Sequence, residues 1–243
     1  MLSILKLIFV ACHTAVVCPI LVATAGVSQR RAYHLSQVWA RVNLFVCGAR
    51  VYARRLAALD PARPYVFMSN HRSQFDILAV VAALPEFQLR WVAKKELTRV
   101  PIFGWALQHT GHIIIDRSDH AQAVASLSAA REQMRNGVSV VIFPEGTRGP
   151  PDGLLPFKKG GFMLALEAGF PIVPLAIRGS EQVLPRHSWW IGSGDIEVVV
   201  GPPLAVTGVE RDELIRRVRT FMLEELAAPR AAPRSAAVAA GAT

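Results

Sequence analysis

After Asp60-Pro61 the chain becomes an alternation that few folds can accommodate. Short apolar runs at 65–68, 89–93, 113–115, 138–143, 172–177 and 196–200 are separated by stretches with helical spacing near 74–84, 101–109, 119–136 and 161–168. Continuous apolar runs of this length suit strands buried on both faces. Strands that alternate with helices pair mostly in parallel, because each crossover carries a helix back over the sheet. Pro101 fits a helix start, and Gly137 and Gly169 fit helix ends. The predicted fold is therefore α/β, a mixed, mostly parallel sheet covered by helices. Ligands of such sheets gather at the strand-to-helix loops, so those loops are where chemistry is to be sought.

Ahead of this pattern lies a different kind of segment. Residues 7–27 contain no Asp, Glu, Lys or Arg, and 21 residues at about 1.5 Å each reach ~31 Å, the thickness of a bilayer core. Lys6 precedes the segment and Arg30-Arg31 follow it, a bias that puts the rest of the chain on the cytoplasmic side. A second stretch at 38–49 has helical spacing, but it is interrupted by Arg41 and Asn43 and is too short to cross; it reads as an interfacial helix. Two plainer readings compete: a secretory signal ending near Ala23-Thr24-Ala25, and a core helix for the second stretch. The expected division is membrane-anchoring helices over 1–50, a catalytic α/β domain over 51–228 with a surface helix at 210–226, and a disordered alanine-rich tail over 229–243.

Composition agrees with a membrane-facing protein. Hydrophobic residues make up 52% of the chain, and its +9 formal charge suits an anionic surface. No run of arginines interleaved with aromatics and no zinc-finger spacing appears, so nucleic acid is not an expected partner. Cys12, Cys18 and Cys47 form no C-x-x-C, and the seven histidines form no H-E-x-x-H. Neither a disulfide framework nor a metal site is expected.

Four loops carry the polar chemistry. Asn70-His71-Arg72-Ser73-Gln74-Phe75-Asp76 follows the 65–68 strand and opens the next helix. Five residues on one helix would put His71 and Asp76 on different faces, so His71 belongs before the helix. With Ser73 as N-cap, Asp76 falls at N3 and can reach back to the imidazole. A carboxylate on Nδ1 would leave Nε2 as an outward-facing base. An isolated H-x4-D is nevertheless more often a structural histidine beside a helix cap. Phe143-Pro144-Glu145-Gly146-Thr147-Arg148, together with Lys158-Lys159-Gly160-Gly161, suits an anion or nothing more than a charged loop. Asp116-Arg117 ends another strand and reads equally as a solvated pair or a ligand contact, and Lys94-Lys95-Glu96 adds a further basic loop.

Taken in order, these blocks resemble the glycerolipid acyltransferase family that includes the 1-acyl-glycerol-3-phosphate (lysophosphatidate) acyltransferases. Residues 70–76 match its N-H-x4-D block, 111–117 its second block, 143–148 its F-P-E-G-T-R block, and Ile172-Val173-Pro174-Leu175-Ala176-Ile177 its proline-containing fourth. The fourth block reads equally as a core strand. The resemblance implies that His71 is the general base on a lysophospholipid hydroxyl and that Asp76 orients it. It implies that Glu145, Gly146, Thr147, Arg148, Arg117 and Lys95 belong to the polar-substrate site. The acyl donor would be acyl-CoA or acyl-carrier protein, with transfer direct and no resident cofactor. The implied setting is the inner membrane, with the catalytic domain on its cytoplasmic face. One departure concerns the acceptor: Gly149-Pro150 stands where a serine often follows the arginine. Another lysolipid such as a lyso-ornithine lipid is the alternative acceptor; a lysolipid or thioester hydrolase and a non-enzymatic lipid-binding protein are the alternative functions.

Overall fold

A computed structural model describes residues 1–116, 120–150 and 152–230, without the side chains of residues 120, 121, 123 and 124. Arg117, the expected helix start at Asp119 and all but the first two residues of the expected tail lie outside the described residues.

Seven strands form one sheet: β1 (Ala49–Arg55), β2 (Val66–Ser69), β3 (Leu89–Lys94), β4 (Ile113–Ile115), β5 (Ser139–Ile142), β6 (Ile172–Arg178) and β7 (Gly194–Val200). Their order is β1-β7-β6-β2-β5-β3-β4. Every neighbouring pair is parallel except β6 and β7, so the sheet is mixed and mostly parallel, as predicted. All residues of β2, β5 and β6 are buried, which explains why their sequences read as unbroken apolar runs.

Two apolar layers cover the sheet. On one face pack α2 (Gln29–Cys47) and α3 (Phe75–Ala83), with Leu44, Ala79, Leu84 and Phe87 meeting Phe67 and Val141. On the other pack α5 (His120–Arg135), α6 (Gly160–Ala168) and α8 (Arg211–Ala227), with Met134, Phe162, Leu214 and Val218 meeting Val66 and Ile172. The short helices α4 (Phe103–His109) and α7 (Ser180–Val183), and a 3-10 turn over Lys95–Arg99, complete the loops.

The N-terminal helix α1 (Leu2–Val27) is long and apolar enough to cross a membrane, yet it is fastened to the sheet domain. The charge of Lys6 does not sit in water beside the helix. Its Nζ is buried and donates to the carbonyls of Cys47 and Gly192, each at 2.8 Å, and to Ser193 Oγ at 2.7 Å, using all three donors of the ammonium. Along its length α1 pairs with α2: Trp39 Nε1 donates to Thr14 Oγ1, and His13 Nδ1 faces Asn43 Oδ1 at 3.2 Å. It also packs on α4, and Gln29, just past its end, donates to the carbonyl of His109.

Three boundaries differ from expectation. The second apolar stretch is part of a longer helix, because Ser28 caps it by accepting the Arg31 N–H. Ala49, placed in that stretch, instead begins β1, and Gly48 makes the turn between them in the left-handed conformation (φ 69°). Third, the helix after β2 starts at Phe75 with Gln74, not Ser73, at its N-cap, so Asp76 lies one position nearer the helix end than predicted. Ser73 is buried one step earlier; its hydroxyl accepts the Phe75 N–H and donates to the Leu184 carbonyl.

Candidate active site

Because β2, β3, β4, β5 and β6 all run in parallel, their carboxyl ends share one edge of the sheet, and the loops with polar chemistry meet there. Asn70 fixes the first of them. Its fully buried amide donates to the Ile177 carbonyl at 2.9 Å and accepts the Ile177 N–H at 2.7 Å, so the loop after β2 is tied to β6 just where the histidine emerges.

His71 Nδ1 lies 2.8 Å from Asp76 Oδ2. The same oxygen accepts the N–H groups of Arg72 and Ser73, at 2.7 and 2.8 Å. An ionised carboxylate can only accept, so this contact needs the proton on Nδ1, and in the neutral ring the lone pair is then on Nε2. Phe143 stacks on the imidazole, with ring centroids 3.9 Å apart and planes 11° from parallel, and Trp91 stacks behind Phe143. The ring is thus held by a hydrogen bond in its plane and an aromatic face across it.

Glu145 does not face an open site. Its carboxylate is buried, Oε1 accepts the His71 N–H at 3.0 Å, and Oε2 accepts the Leu155 N–H at 2.9 Å. Burial raises its pKa, and these two amides work in the opposite direction. The side chain expected among the substrate contacts instead ties the third block to the histidine loop. A second tie is the Gly149 N–H, which donates to the His71 carbonyl at 2.7 Å. Gly146 closes a turn onto the Phe143 carbonyl with φ 71°, a conformation glycine adopts without strain. Thr147 is exposed and Arg148 half-buried, and neither has a hydrogen-bond partner among the described residues. Lys95 is paired with Asp116 at 2.8 Å, which joins the loops after β3 and β4.

Sequence reasoning passed over Asn70, Phe143 and Trp91 as parts of the site. Asn70 and Phe143 stood inside the blocks already singled out, each at the end of an apolar run, and that position was the available signal.

A model of the acyltransferase family matches residues 49–178, from the first residue of β1 to the last of β6. The 1-acyl-sn-glycerol-3-phosphate acyltransferase of Pseudomonas aeruginosa is 36% identical over 177 residues, covering 71% of this chain and 67% of that protein. The corresponding alpha enzyme of Ovis aries is 36% identical over 183 residues, 74% of this chain and 63% of that protein. The chain thus spans somewhat under two thirds of that mammalian relative, and 57% of a chloroplastic one from Brassica napus. The crystal structure of the acyltransferase PlsC from Thermotoga maritima shares the fold, with a TM-score of 0.74 over 93% of each chain at 20% identity. With a family match that runs from β1 through β6 and takes in His71, Asp76 and the Phe143–Arg148 loop, the chain belongs to the acyltransferase family.

Proposed function

We propose that this protein is a membrane-associated O-acyltransferase that moves a fatty acyl group from acyl-CoA or acyl-carrier protein to the free sn-2 hydroxyl of 1-acyl-glycerol-3-phosphate, giving phosphatidic acid. The observation that carries the reading is the His71–Asp76 pair at 2.8 Å, set at the strand ends beside the Phe143–Arg148 loop. The names of the relatives point to the same acceptor.

In this mechanism Nε2 of His71 takes the proton of the acceptor hydroxyl as its oxygen attacks the thioester carbonyl. Asp76 holds the ring in the tautomer that leaves Nε2 free and stabilises the imidazolium that forms. Collapse of the tetrahedral intermediate keeps the new C–O bond and breaks the C–S bond, and the imidazolium returns its proton to the departing thiolate. Glu145 is a positioning residue, holding the His71 backbone through its N–H. Arg148 and Thr147, half-buried and exposed at the edge of the site, supply donors for the acceptor phosphate, with Lys95 on a neighbouring loop and Arg117 assigned the same role from the sequence alone.

The N-terminal helix brings this site to its substrate. Since α1 is fastened at its first turn to residues 191–193 and packs on α4 further along, it lies in one leaflet with Leu5, Ile8, Phe9, Val16 and Ile20 turned outward. The domain then rests on the cytoplasmic face of the inner membrane, where Arg30 and Arg31 meet anionic headgroups.

The test is acyl transfer from labelled oleoyl-CoA by membranes containing the full chain, with lysophosphatidate, lysophosphatidylglycerol and lyso-ornithine lipid as acceptors. Phosphatidate as the main product supports the proposal. Preference for a phosphate-free acceptor overturns the headgroup assignment, and release of free fatty acid at the same rate without any acceptor makes the protein a hydrolase.

A further inference from the structure

Beyond α7 the chain exposes two adjacent indoles, Trp189 (80%) and Trp190 (64%). Most other exposed large apolar side chains belong to α1, α2 and the segment around α4, including Phe9, Phe45, Ile102 and Trp105. The tryptophan pair is therefore an outpost on the loop that joins α7 to β7.

That loop is firmly held. Ser188 N–H donates to the Pro185 carbonyl at 3.1 Å, closing a turn in which His187 takes the left-handed conformation (φ 62°). For a residue with a Cβ this costs about 1–2 kcal/mol. On one side of the tip, the Leu184 carbonyl accepts the Ser73 hydroxyl of the histidine loop at 2.8 Å. On the other, buried Ile191 donates its N–H to Ser3 Oγ at 2.6 Å, and Gly192 and Ser193 receive Lys6. The two indoles are thus coupled through short hydrogen bonds, buried or partly buried, to the candidate catalytic loop and to the first turns of the apolar helix.

Neither indole N–H has a partner among the described residues, and exposed Arg186 precedes the pair in the same loop. A broad ring with one polar edge fits the headgroup layer of a bilayer, where the ring is buried while the N–H stays hydrated, and the Arg186 charge in the same loop favours anionic lipid. We propose that Trp189 and Trp190 form an interfacial anchor for an anionic phospholipid bilayer, which sets the depth and tilt of the His71 loop relative to a lipid acceptor. The inference rests on the membrane-bound reading of α1 given above.

The experiment uses the full chain bound to phosphatidylcholine–phosphatidylglycerol vesicles, with and without bromine near the headgroup end of the acyl chains. Fluorescence of the wild type minus that of W189F/W190F isolates the pair. The expected result is quenching by the brominated lipid and loss of iodide access when vesicles are added. Unchanged iodide access overturns the proposal, as does a spectral change produced by an acidic carrier protein without lipid, which would make the pair a protein dock. W189S/W190S should stay on vesicles through α1 but lose transfer to a bilayer acceptor while keeping transfer to one dispersed in detergent; equal rates with both acceptors would also overturn it. Quenching needs no turnover, so a wild type inactive on every lysolipid would sink the acyltransferase reading and leave the anchor standing.

Discussion

His71 and Asp76 meet through one carboxylate oxygen: Asp76 Oδ2 lies 2.8 Å from His71 Nδ1 and also receives the N–H groups of Arg72 and Ser73. That oxygen therefore selects the Nδ1-protonated imidazole and holds the path of the loop carrying it. Replacing it with an amide changes the first without emptying the space. Asp76→Asn is expected to lower kcat by about 10²–10⁴-fold, the usual worth of a positioned general base, with little change in KM. Steady-state kinetics on bound membranes measures this, and wild-type kcat would contradict the orienting role.

Behind that pair, Glu145 and Gly149 are packed so closely that a Cβ on Gly149 would lie 2.4 Å from Glu145 Oε2. Gly149→Ala should push the carboxylate off the His71 and Leu155 amides, costing about 1–3 kcal/mol of stability for the buried groups left unpaired and lowering kcat. Glu145→Gln, which keeps acceptor oxygen at the site, should be milder. Thermal unfolding together with kcat checks both; an alanine variant indistinguishable from wild type would contradict the role given to Glu145.

Arg148 is half-buried at the site edge and has no partner of its own among the described residues. A charge-assisted contact to phosphate contributes about 1.5–3 kcal/mol, so Arg148→Ala should raise KM for a phosphate-bearing acceptor by roughly 10–100-fold. Saturation curves with phosphate-bearing and phosphate-free acceptors provide the comparison. Equal losses on the two would place the arginine elsewhere in the mechanism.

Acid should weaken the fold through a histidine away from the candidate catalytic pair. His112 Nδ1 accepts the Trp91 N–H at 3.1 Å, and burial, helped by the Arg90 charge, lowers its pKa from 6.5 to about 3. The unfolded chain binds this proton near 6.5 and the folded chain only near 3, so the stabilisation is present above 6.5 and lost as pH falls through that window. The melting temperature in detergent should already decline between pH 6.5 and about 5, before most carboxylates titrate. His112→Asn, whose amide oxygen can take the same N–H, should flatten that slope; an unchanged slope would contradict the assignment.

Much of this was legible in the sequence because burial leaves a periodic record. The strands at the middle of the sheet announced themselves through apolar runs such as Val140-Val141-Ile142. Edge strand β1 did not, since Ala49–Arg55 carries three arginines and exposes much of one side. The five-residue spacing of His71 and Asp76 already required the histidine to precede the helix, and the structure brings the two together across that turn. What spacing could not reveal was direction. Glu145 reads as a ligand for substrate until its two oxygens are seen to be engaged by main-chain amides. Lys6 reads as a charge flanking a membrane segment, yet it is buried against residues near position 192, a contact no local pattern encodes.

The central claim is that His71 is the base, and the direct test is transfer of labelled oleate from oleoyl-CoA to lysophosphatidate by membranes bearing the wild type or His71→Ala. The account expects phosphatidate from the wild type, a loss of roughly 10²–10⁴-fold in the variant, and equal amounts of both proteins on the membrane. Turnover by His71→Ala at the wild-type rate would contradict it.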